Sequence, residues 1–388
     1  MIGSATPVRR NRPLRLAVAA LTTLFAVLGF GSGTGAAHAA SGGAVVSMGD
    51  SYISGEAGRW QGNSDTVSGS RSGTDRAYVN GGYDPTVVYG PTYSSGCDRS
   101  DTAEVASAAG LPGARFNIAC SGATTTNVLR AADGGQSYKG EAPQADQLAQ
   151  IAANNAVRTV VLSIGGNDLG FSSVITACVE DYEVWYSYCH GTQQQNIAAA
   201  LPGAMANVGR AIDSINAAMT ADGYTAGSYR IILQSYPSPI PRSAENRYPE
   251  SGWSRTDSGG CPFWNGDSDW ARDTLIPEIS SALRTEAQTK GVQFLDLQDA
   301  FQGHEVCAAS AQLATSSQPP SPVASEWARF LTTGATQGTM QESFHPNAYG
   351  QRALGQCLSL IYAQPTGDFA CDNTPGRDAS GMTLTALP

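Results

Sequence analysis

The sequence predicts an α/β fold, a single-domain three-layer α/β/α sandwich with a mostly parallel central sheet. Short runs rich in β-branched residues alternate with helical patterns along the chain, and this alternation is typical of strand–helix–strand units. The runs are largely continuous in apolar residues, as expected of strands that are covered on both faces. A chain of 388 residues can also bury a substantial core without help from metals or oligomerisation.

Residues 1–39 are predicted to form a signal peptide that precedes the fold. Four arginines lie between positions 9 and 15, an apolar run follows at 16–30, and Ala37–Ala39 has the A-x-A pattern of a cleavage site. The apolar run is shorter than the roughly 20 residues that span a bilayer, which disfavours a membrane anchor. We therefore expect a secreted, extracellular protein cleaved after Ala39, with both the general and the twin-arginine export routes open.

Five strands are predicted in the domain that we place at residues 40–375. They are Ala44–Met48, Phe116–Ala119, Thr159–Ile164, Arg230–Gln234 and Val292–Leu297. Apolar residues at spacings of three and four predict helices around positions 208–219, 275–283 and 354–361. In folds of this class the functional groups lie beyond the carboxyl ends of the strands, so the residues that follow each strand are the first candidates for a site.

Two long segments interrupt the alternation of strands and helices. The first, Gly55–Gly96, is rich in Gly, Ser, Thr and Tyr, and the second, Tyr236–Trp270, contains five prolines and three tryptophans. Loops of this length in a compact domain are usually functional, so we expect them to form the walls of a cleft. The alternative is surface decoration tied down by disulfides. At the other end of the chain, residues 376–388 are predicted to form a flexible tail.

All eight cysteines follow the signal peptide, and an even number of cysteines in an exported chain indicates disulfide bonds. Eight cysteines permit on the order of 100 pairings, and the spacings alone leave them open. No C-x₂-C spacing occurs, so a zinc site is not expected, and we predict no metal and no cofactor. The cysteines are Cys97, Cys120, Cys178, Cys189, Cys261, Cys307, Cys357 and Cys371.

The charge distribution argues against nucleic acid as a partner. Lys139 and Lys290 are the only lysines and the arginines are scattered, whereas phosphate binding needs clustered cations. Without the signal peptide the chain carries 19 Lys+Arg against 33 Asp+Glu, a formal net charge of −14. Such a surface repels anionic lipids and polymers.

A serine follows the first predicted strand almost directly. The strand runs into Gly49 and Asp50 and then Ser51, so the Ser51 hydroxyl is expected where a parallel strand turns towards its helix and faces the crevice. Serine is common in ordinary turns, and its hydroxyl becomes a nucleophile only when a base removes the proton. The assignment of Ser51 as a nucleophile therefore depends on a partner histidine.

Three histidines follow the signal peptide, and His345 is the strongest candidate for the base. His190 and His304 both lie close to cysteines, so they are expected on loops bounded by cystines. Pro346 biases His345 towards an extended backbone and suits the first turn of a following helix. We expect His345 to face the sheet edge as the general base, the alternative being a plain capping role.

Two further strand ends supply donors for an oxyanion. Gly165, Gly166, Asn167 and Asp168 follow one strand, and Cys120, Ser121 and Gly122 follow another. The N–H groups of Ser51 and Gly122 and the side-chain amide of Asn167 are expected to form an oxyanion hole. Each glycine could instead serve a turn, and Asp50 and Asp168 are expected to have structural roles.

Four blocks of sequence, named at the end of this paragraph in chain order, resemble the four blocks of the SGNH hydrolases, the GDSL-type lipases and esterases. Further similarity at 97–100, 119–124 and 165–171 is to the secreted actinomycete branch of lipases and phospholipases. The resemblance implies an SGNH or flavodoxin-like fold, sequential pairing of the first six cysteines, and an additional Cys357–Cys371 pair. The blocks are Gly49-Asp50-Ser51-Tyr52, Gly122, Gly165-Gly166-Asn167-Asp168 and His345-Pro346-Asn347, with Ser51, Gly122, Asn167 and His345 on the four letters of the name.

The group that orients His345 has two candidates. Many members of the family have an aspartate three residues before the histidine, whereas Glu342 occupies that position here. Glutamate is longer by one methylene group, so its carboxylate need not reach Nδ1 in the same pose. The alternative, used by some members of this branch, is a backbone carbonyl such as that of Ser343. Either device can fix the tautomer and orientation of the imidazole.

The resemblance and the residues together predict a serine carboxylic ester hydrolase that works through an acyl-enzyme, with lipid acyl esters as substrates. One alternative is an esterase that removes acetyl or aromatic acyl groups from plant polymers. The other is a non-catalytic carbohydrate-binding module that keeps the fold without turnover. We expect a monomer whose partner is a small-molecule or lipid ester, with no nucleic acid and no stable membrane anchor.

Overall fold

The computed structural model describes residues 43–332 and 337–388. The predicted signal peptide, residues 1–39, lies outside these ranges. The described residues belong to one compact unit, His38–Pro388, and contain a central sheet of seven strands. Every neighbouring pair in this sheet is parallel except the last. The predicted α/β class with a mostly parallel sheet is confirmed.

The order of the strands creates a crevice at one end of the sheet. The central sheet runs β4-β1-β5-β6-β7-β8-β9, while β2 and β3 form a separate hairpin. Its first five strands therefore have the 2-1-3-4-5 order of flavodoxin-like sheets, in which ligands bind where the order reverses, between β1 and β5. The strands are β1 (Ala44–Gly49), β2 (Tyr78–Val79), β3 (Gly82–Tyr83), β4 (Ala114–Asn117), β5 (Val157–Ser163), β6 (Arg230–Gln234), β7 (Gln293–Asp296), β8 (Phe369–Asp372) and β9 (Thr383–Ala386).

Two groups of helices cover the sheet. Helices α5, α6 and α10 contact α8, while α4 contacts α11 and α1. All residues of β1 and β7 are buried, which explains why the strands have continuous apolar runs. The three predicted helices lie within α8, α10 and α11, α10 beginning one residue after Leu275. The helices are α1 (Ser51–Ser54), α2 (Thr86–Tyr89), α3 (Thr92–Ser95), α4 (Glu104–Ser107), α5 (Thr125–Val128), α6 (Gln144–Ala152), α7 (Phe171–Glu180), α8 (His190–Ala221), α9 (Asn265–Trp270), α10 (Ile276–Lys290) and α11 (Ala348–Tyr362).

Two stretches differ from the sequence-based expectation. The strand expected at Phe116–Ala119 is β4 at Ala114–Asn117, because the parallel register pairs Ala44 with Ala114 and Ser47 with Asn117. The expected flexible tail at 376–388 instead contains β9, which pairs antiparallel with β8 over four residues. This pairing depends on β8, whose own partner is β7. Long-range contacts of this kind leave little signal in the local sequence.

Each disulfide of the structure joins cysteines that are neighbours along the chain. The pairs are Cys97–Cys120, Cys178–Cys189, Cys261–Cys307 and Cys357–Cys371. The first ties the end of the first long segment to the loop after β4. No helix in residues 43–332 and 337–388 is both long and apolar enough to cross a membrane.

Candidate active site

The turn after β1 holds Ser51 in a fixed position. Gly49 has φ of +134°, and a Cβ there would lie 1.9 Å from the Ser163 carbonyl oxygen, so only glycine fits. The buried Gln144 amide donates to the Gly49 carbonyl at 2.8 Å and accepts from the Gly49 N–H at 2.7 Å. Asp50 then caps α1 by accepting from the Tyr52 N–H at 3.1 Å. Ser51 is consequently the first residue of α1, at the carboxyl end of the first strand.

The imidazole of His345 lies directly against the Ser51 hydroxyl. Its Nε2 is 2.7 Å from Ser51 Oγ, and its Nδ1 is 3.1 Å from the Ser343 carbonyl oxygen. A carbonyl can only accept, so Nδ1 carries the proton and Nε2 is free to accept from the serine. Burial lowers the pKa of His345 to about 4, against the opposing effect of nearby backbone carbonyls. The histidine is therefore neutral at neutral pH, as a general base must be.

The backbone around His345 is held by several neighbours. Phe344 has φ of +62°, a left-handed conformation that non-glycine residues rarely adopt. Its N–H donates to the Arg329 carbonyl at 2.7 Å, and its own carbonyl accepts from the Tyr52 hydroxyl at 2.9 Å. On the other side of His345, the Asn347 side chain caps α11 by accepting from N–H groups in the first turn of that helix. These contacts maintain the strained residue next to the histidine.

In the described part of the chain, the Glu342 carboxylate makes no hydrogen bond to the His345 imidazole. Its carboxylate accepts from the Thr339 N–H at 2.8 Å and from the Tyr89 hydroxyl at 3.4 Å. The first of these contacts belongs to a capping box of the short turn before His345. Of the two candidates left open by the sequence, the Ser343 carbonyl is the one in contact with Nδ1.

The other two predicted residues, Gly122 and Asn167, lie in the loops that follow β4 and β5, the two strands beside β1. Gly122 follows β4 with φ of +82°, and the Cys120 N–H in the same loop donates to the Gly49 carbonyl at 3.1 Å. Asn167 follows β5 and donates through Nδ2 to the Ala123 carbonyl at 2.8 Å. The loops after β1, β4 and β5 are thus hydrogen-bonded to one another at the carboxyl ends of the strands. This arrangement can offer several donors to a single negatively charged oxygen.

Asp50 and Asp168 have structural contacts. The Asp168 carboxylate accepts from the N–H of Thr125 at 3.0 Å, which connects the loop after β5 to α5. Asp50 accepts from the Tyr236 hydroxyl at 2.6 Å. Burial raises the pKa of Asp50 to about 7, although the hydrogen bond from Tyr236 opposes this shift.

Tyr236 is a contributor that the sequence analysis did not identify. Its hydroxyl donates to Asp50 and accepts from the Gly166 N–H at 3.0 Å, so it connects the serine turn with the loop that carries Asn167. Tyr236 lies two residues after β6, and its place at a strand end was the available signal. The other histidines lie elsewhere: His190 contacts Asp267, and His304 stacks on Trp327.

An apolar cavity adjoins the serine and the histidine. Its volume is about 80 Å³, within roughly 660 Å³ of space between the lining atoms that includes open solvent. Tyr52 and Phe344, which flank Ser51 and His345 in the sequence, line one part of it, and the Tyr52 ring lies 4.9 Å from the His345 ring. The rest comes from α7, from residues 236–240 and from residues between 263 and 276. Among the described residues, the first long segment contributes none of the lining, so only the second forms a wall of this cavity.

Comparison with known proteins gives consistent matches. Residues 48–353 match the GDSL-like lipase/acylhydrolase family. A lipase from Streptomyces rimosus is 26% identical over 280 residues, which cover 68% of this chain and 81% of that protein. Lipase 1 from Streptomyces coelicolor is 26% identical over 282 residues, covering 69% and 82% respectively. The crystal structure of an extracellular lipase from Streptomyces rimosus is 22% identical, with a TM-score of 0.49 over 83% of this chain and 100% of that chain.

Proposed function

The chain belongs to the GDSL-like lipase/acylhydrolase family and is a carboxylic ester hydrolase, and from this premise we propose that it cleaves lipid acyl esters through an acyl-enzyme on Ser51. The proposal rests above all on the 2.7 Å separation of Ser51 Oγ from His345 Nε2. A nucleophile and its base need this distance for proton transfer. The neutral imidazole, with its proton on Nδ1, supplies the required acceptor.

The reaction proceeds in two halves. In the first, Nε2 of His345 takes the hydroxyl proton, Oγ of Ser51 bonds to the ester carbonyl carbon, and the carbonyl oxygen becomes an oxyanion. The N–H groups of Ser51 and Gly122 and the amide of Asn167 stabilise that oxyanion. The imidazolium then protonates the leaving alcohol as the carbon–oxygen bond breaks. In the second half, the imidazole takes a proton from water, the hydroxide attacks the acyl-enzyme, and Ser51 regains its proton.

The Ser343 carbonyl has a defined part in this scheme. By accepting from Nδ1–H at 3.1 Å, it fixes the tautomer and the ring orientation, and it stabilises the imidazolium that forms transiently. The pair therefore works as a Ser–His dyad oriented by the backbone. Asn167 is expected to contribute about 10² to 10³ in turnover, as single oxyanion donors do.

The apolar cavity supports lipid acyl esters as the substrate class. Its lining is dominated by aromatic and aliphatic side chains and lies beside Tyr52 and Phe344. Such a cavity is suited to a hydrocarbon chain attached to the carbonyl that Ser51 attacks. The curated relatives named above are lipases. Removal of acetyl groups from plant polymers would leave this cavity unused.

The catalytic assignment is tested by substitution and by covalent labelling. Ser51→Ala and His345→Ala should each lower kcat/KM on a chromogenic butyrate ester by at least about 10⁴-fold while leaving the thermal unfolding transition unchanged. An organophosphonate should label Ser51, as determined by peptide mass spectrometry, and should not label the Ser51→Ala variant. A folded Ser51→Ala enzyme that keeps its turnover would remove the proposal.

The substrate class is tested by a series of chromogenic esters from acetate to palmitate. If lipid acyl esters are the substrates, kcat/KM should rise with acyl length up to about eight carbons or more, because a longer chain buries more apolar surface in the cavity. A maximum at acetate would favour the deacetylase alternative and refute the lipid assignment. In either case, activity that depends on Ser51 would exclude the non-catalytic module.

We also propose that the protein is secreted after cleavage behind Ala39. The basic and apolar stretches of residues 9–30 and the four disulfides support export to an oxidising compartment. Sequencing the N-terminus of the protein recovered from culture medium should find Ala40. An N-terminus at Met1 on a cell-associated protein would contradict this assignment.

A further inference from the structure

A cluster of exposed aromatic residues lies on the surface near the second long segment. Trp185 and Tyr186 are each 67% exposed, Tyr188 is 58% exposed and Trp253 is 57% exposed. Val184, 57% exposed, adds an aliphatic side chain. Soluble proteins seldom expose so many large apolar side chains together unless the surface binds something. We call these five residues the exposed aromatic cluster.

The local backbone keeps these side chains exposed. Beyond α7 the chain continues as one π-helical turn, Asp181–Trp185, and Tyr186 ends it in a left-handed conformation with φ of +50°. The Cys178–Cys189 disulfide closes this segment into a loop. The Tyr182 hydroxyl donates to the Glu250 carbonyl at 2.9 Å, which brings the loop of Trp253 alongside. The exposed aromatic cluster is therefore built on a constrained scaffold.

The exposed aromatic cluster is connected to the apolar cavity through a chain of rings. The ring of Trp264 lies 6.4 Å from that of Tyr186 and 6.2 Å from that of Tyr188. The next rings along are His190, 5.3 Å from Tyr188, and Trp270, 6.5 Å from His190. Trp270 lines the cavity. The chain of rings thus leads from the exposed aromatic cluster to the lining of the cavity.

The charges around the exposed aromatic cluster limit what it can bind. Residues 179–189 and 249–254 include Glu180, Asp181, Glu183 and Glu250 but no Lys or Arg. An anionic partner would be repelled by these carboxylates and by the negative charge of the whole chain. An uncharged or zwitterionic partner meets no such penalty.

The orientation of the rings separates a lipid surface from a polysaccharide. A sugar-binding platform needs aromatic faces that a flat chain can stack on together. Here the rings of Tyr186 and Tyr188 are inclined by 53° and 68° to the Trp264 ring that both approach. Trp and Tyr combine an apolar ring with a polar group and are the residues that prefer the boundary between lipid headgroups and hydrocarbon.

We propose that the exposed aromatic cluster docks the enzyme onto a zwitterionic lipid surface and thereby places the cavity mouth against the lipid. The inference rests on the proposed function, because it assigns the surface from which the acyl ester substrate is drawn. The side chains of Trp185, Tyr186 and Trp253 enter the headgroup region, while the nearby carboxylates stay in water. Binding by this surface requires no anionic lipid.

The test measures binding without catalysis. The mature enzyme is mixed with vesicles of ether-linked phosphatidylcholine, which it cannot hydrolyse, and the bound fraction is measured by flotation. We expect the enzyme to bind and the variant Trp185→Ser/Tyr186→Ser/Trp253→Ser to lose at least about tenfold in partition coefficient, because three large side chains no longer leave water. Val67→Ser, which changes an exposed apolar side chain outside the cluster (59% exposed), should bind like the parent.

A second measurement separates this inference from the proposed function. The triple variant should hydrolyse a soluble butyrate ester within about twofold of the parent, because none of its changes touches the catalytic residues. Failure of the parent to bind the vesicles, an unchanged partition of the triple variant, or binding that requires phosphatidylglycerol would overturn the docking surface. The docking surface would also be overturned if the parent bound insoluble xylan and not vesicles, and if the triple variant lost that binding. Loss of the proposed function would appear instead as ester hydrolysis that does not depend on Ser51.

Discussion

The two long segments of the chain differ in how they are stabilised and in what they contact. The first, Gly55–Gly96, contains three buried charged residues and accepts a hydrogen bond from the backbone three residues after His345. The second, Tyr236–Trp270, is rich in aromatic and proline residues and lines the apolar cavity. We infer that the first segment holds the base in position, whereas the second determines which acyl groups are accepted. The two tasks can therefore be altered separately.

Three arginines surround one buried tryptophan in and beside the first segment. The guanidinium carbons of Arg59, Arg71 and Arg329 lie 4.3, 5.4 and 3.6 Å from the Trp60 ring centroid. The Trp60 carbonyl accepts from the N–H of Ala348 at 2.7 Å, at the start of α11. The Arg329 N–H donates to the His345 carbonyl at 2.8 Å, and the Arg329 carbonyl accepts from the Phe344 N–H at 2.7 Å. The charged cluster is in this way connected to His345.

The second segment contacts the site through side chains. Tyr236 packs edge-on against Tyr52 at 5.2 Å and against Phe171 at 5.5 Å, and Phe263 lies 5.4 Å from Phe344. The Phe263 ring can be replaced by one of different size without leaving a charge unpaired, whereas the Tyr236 hydroxyl also donates to the buried Asp50. We therefore expect substitutions of Phe263 to change selectivity more than stability.

The largest effect on stability should come from removing the buried Asp75 carboxylate of the first segment. Asp75 is fully buried and accepts from Arg59 at 2.6 and 2.7 Å and from Arg71 at 3.0 Å. Asp75→Ala leaves both guanidinium groups without their partner, so the free energy of unfolding should fall by about 3–5 kcal/mol. Urea denaturation measures this loss.

An exposed ion pair provides the control for Asp75. Asp101 pairs with Arg76 at 2.6 Å, but its side chain is 48% exposed. Asp101→Ala should cost less than about 1 kcal/mol, because water screens this pair. Equal losses for the two variants would mean that the first segment is not held by its buried charges, and the contrast between the segments would disappear.

The next largest effect is expected in the wall of the cavity. Ile175, on α7, lines it opposite the second segment. Ile175→Trp should fill part of the cavity and lower the ratio of kcat/KM for laurate over butyrate by about 10- to 100-fold, while kcat/KM for butyrate stays close to that of the parent. Ile175→Val, which leaves the space open, should keep the ratio. An unchanged ratio in the tryptophan variant would show that the acyl chain binds elsewhere.

The sequence marks the candidate residues at the strand ends more clearly than the groups around them, for a physical reason. Ser51, Gly122, Asn167 and His345 lie at strand ends or at a helix start, and local turn chemistry makes such positions recognisable. Tyr236 also lies near a strand end, but its contacts are with residues 70 and 186 positions away, and no local pattern indicates those partners. The same holds for β8 and β9, whose short strands depend on β7. The exposed aromatic cluster has no periodicity, because four of its residues lie on the short segment closed by the Cys178–Cys189 disulfide and Trp253 lies on a separate loop.

Activity at acidic pH tests the surroundings that both segments give to the histidine. Because burial lowers the pKa of His345 to about 4, the base is unprotonated above that pH and loses function as the pH falls through it. We expect kcat/KM at pH 5.5 to lie within about twofold of its value at pH 7.5, whereas an ordinary histidine would retain roughly a tenth.

Asp50 is the control for the pH profile, because its pKa of about 7 lies in the same range. The Asp50→Asn variant should remove any inflection near neutral pH and keep the acidic limb near pH 4. A single limb near pH 6.5 in both enzymes would mean that His345 is as exposed to water as a free histidine. The burial of the imidazole, which lies 4.9 Å from the Tyr52 ring, would then not lower its pKa.

The smallest expected effect concerns Glu342, which lies outside the first segment and contacts it through the Tyr89 hydroxyl. Its carboxylate binds the Thr339 N–H and the Tyr89 hydroxyl, while Nδ1 of His345 contacts the Ser343 carbonyl. Glu342→Ala should therefore keep kcat within about tenfold of the parent. A loss approaching that of His345→Ala would mean that the carboxylate moves onto Nδ1 during turnover. Glu342 would then belong to the catalytic machinery, and the first segment, through Tyr89, would hold a catalytic group and not only the backbone around His345.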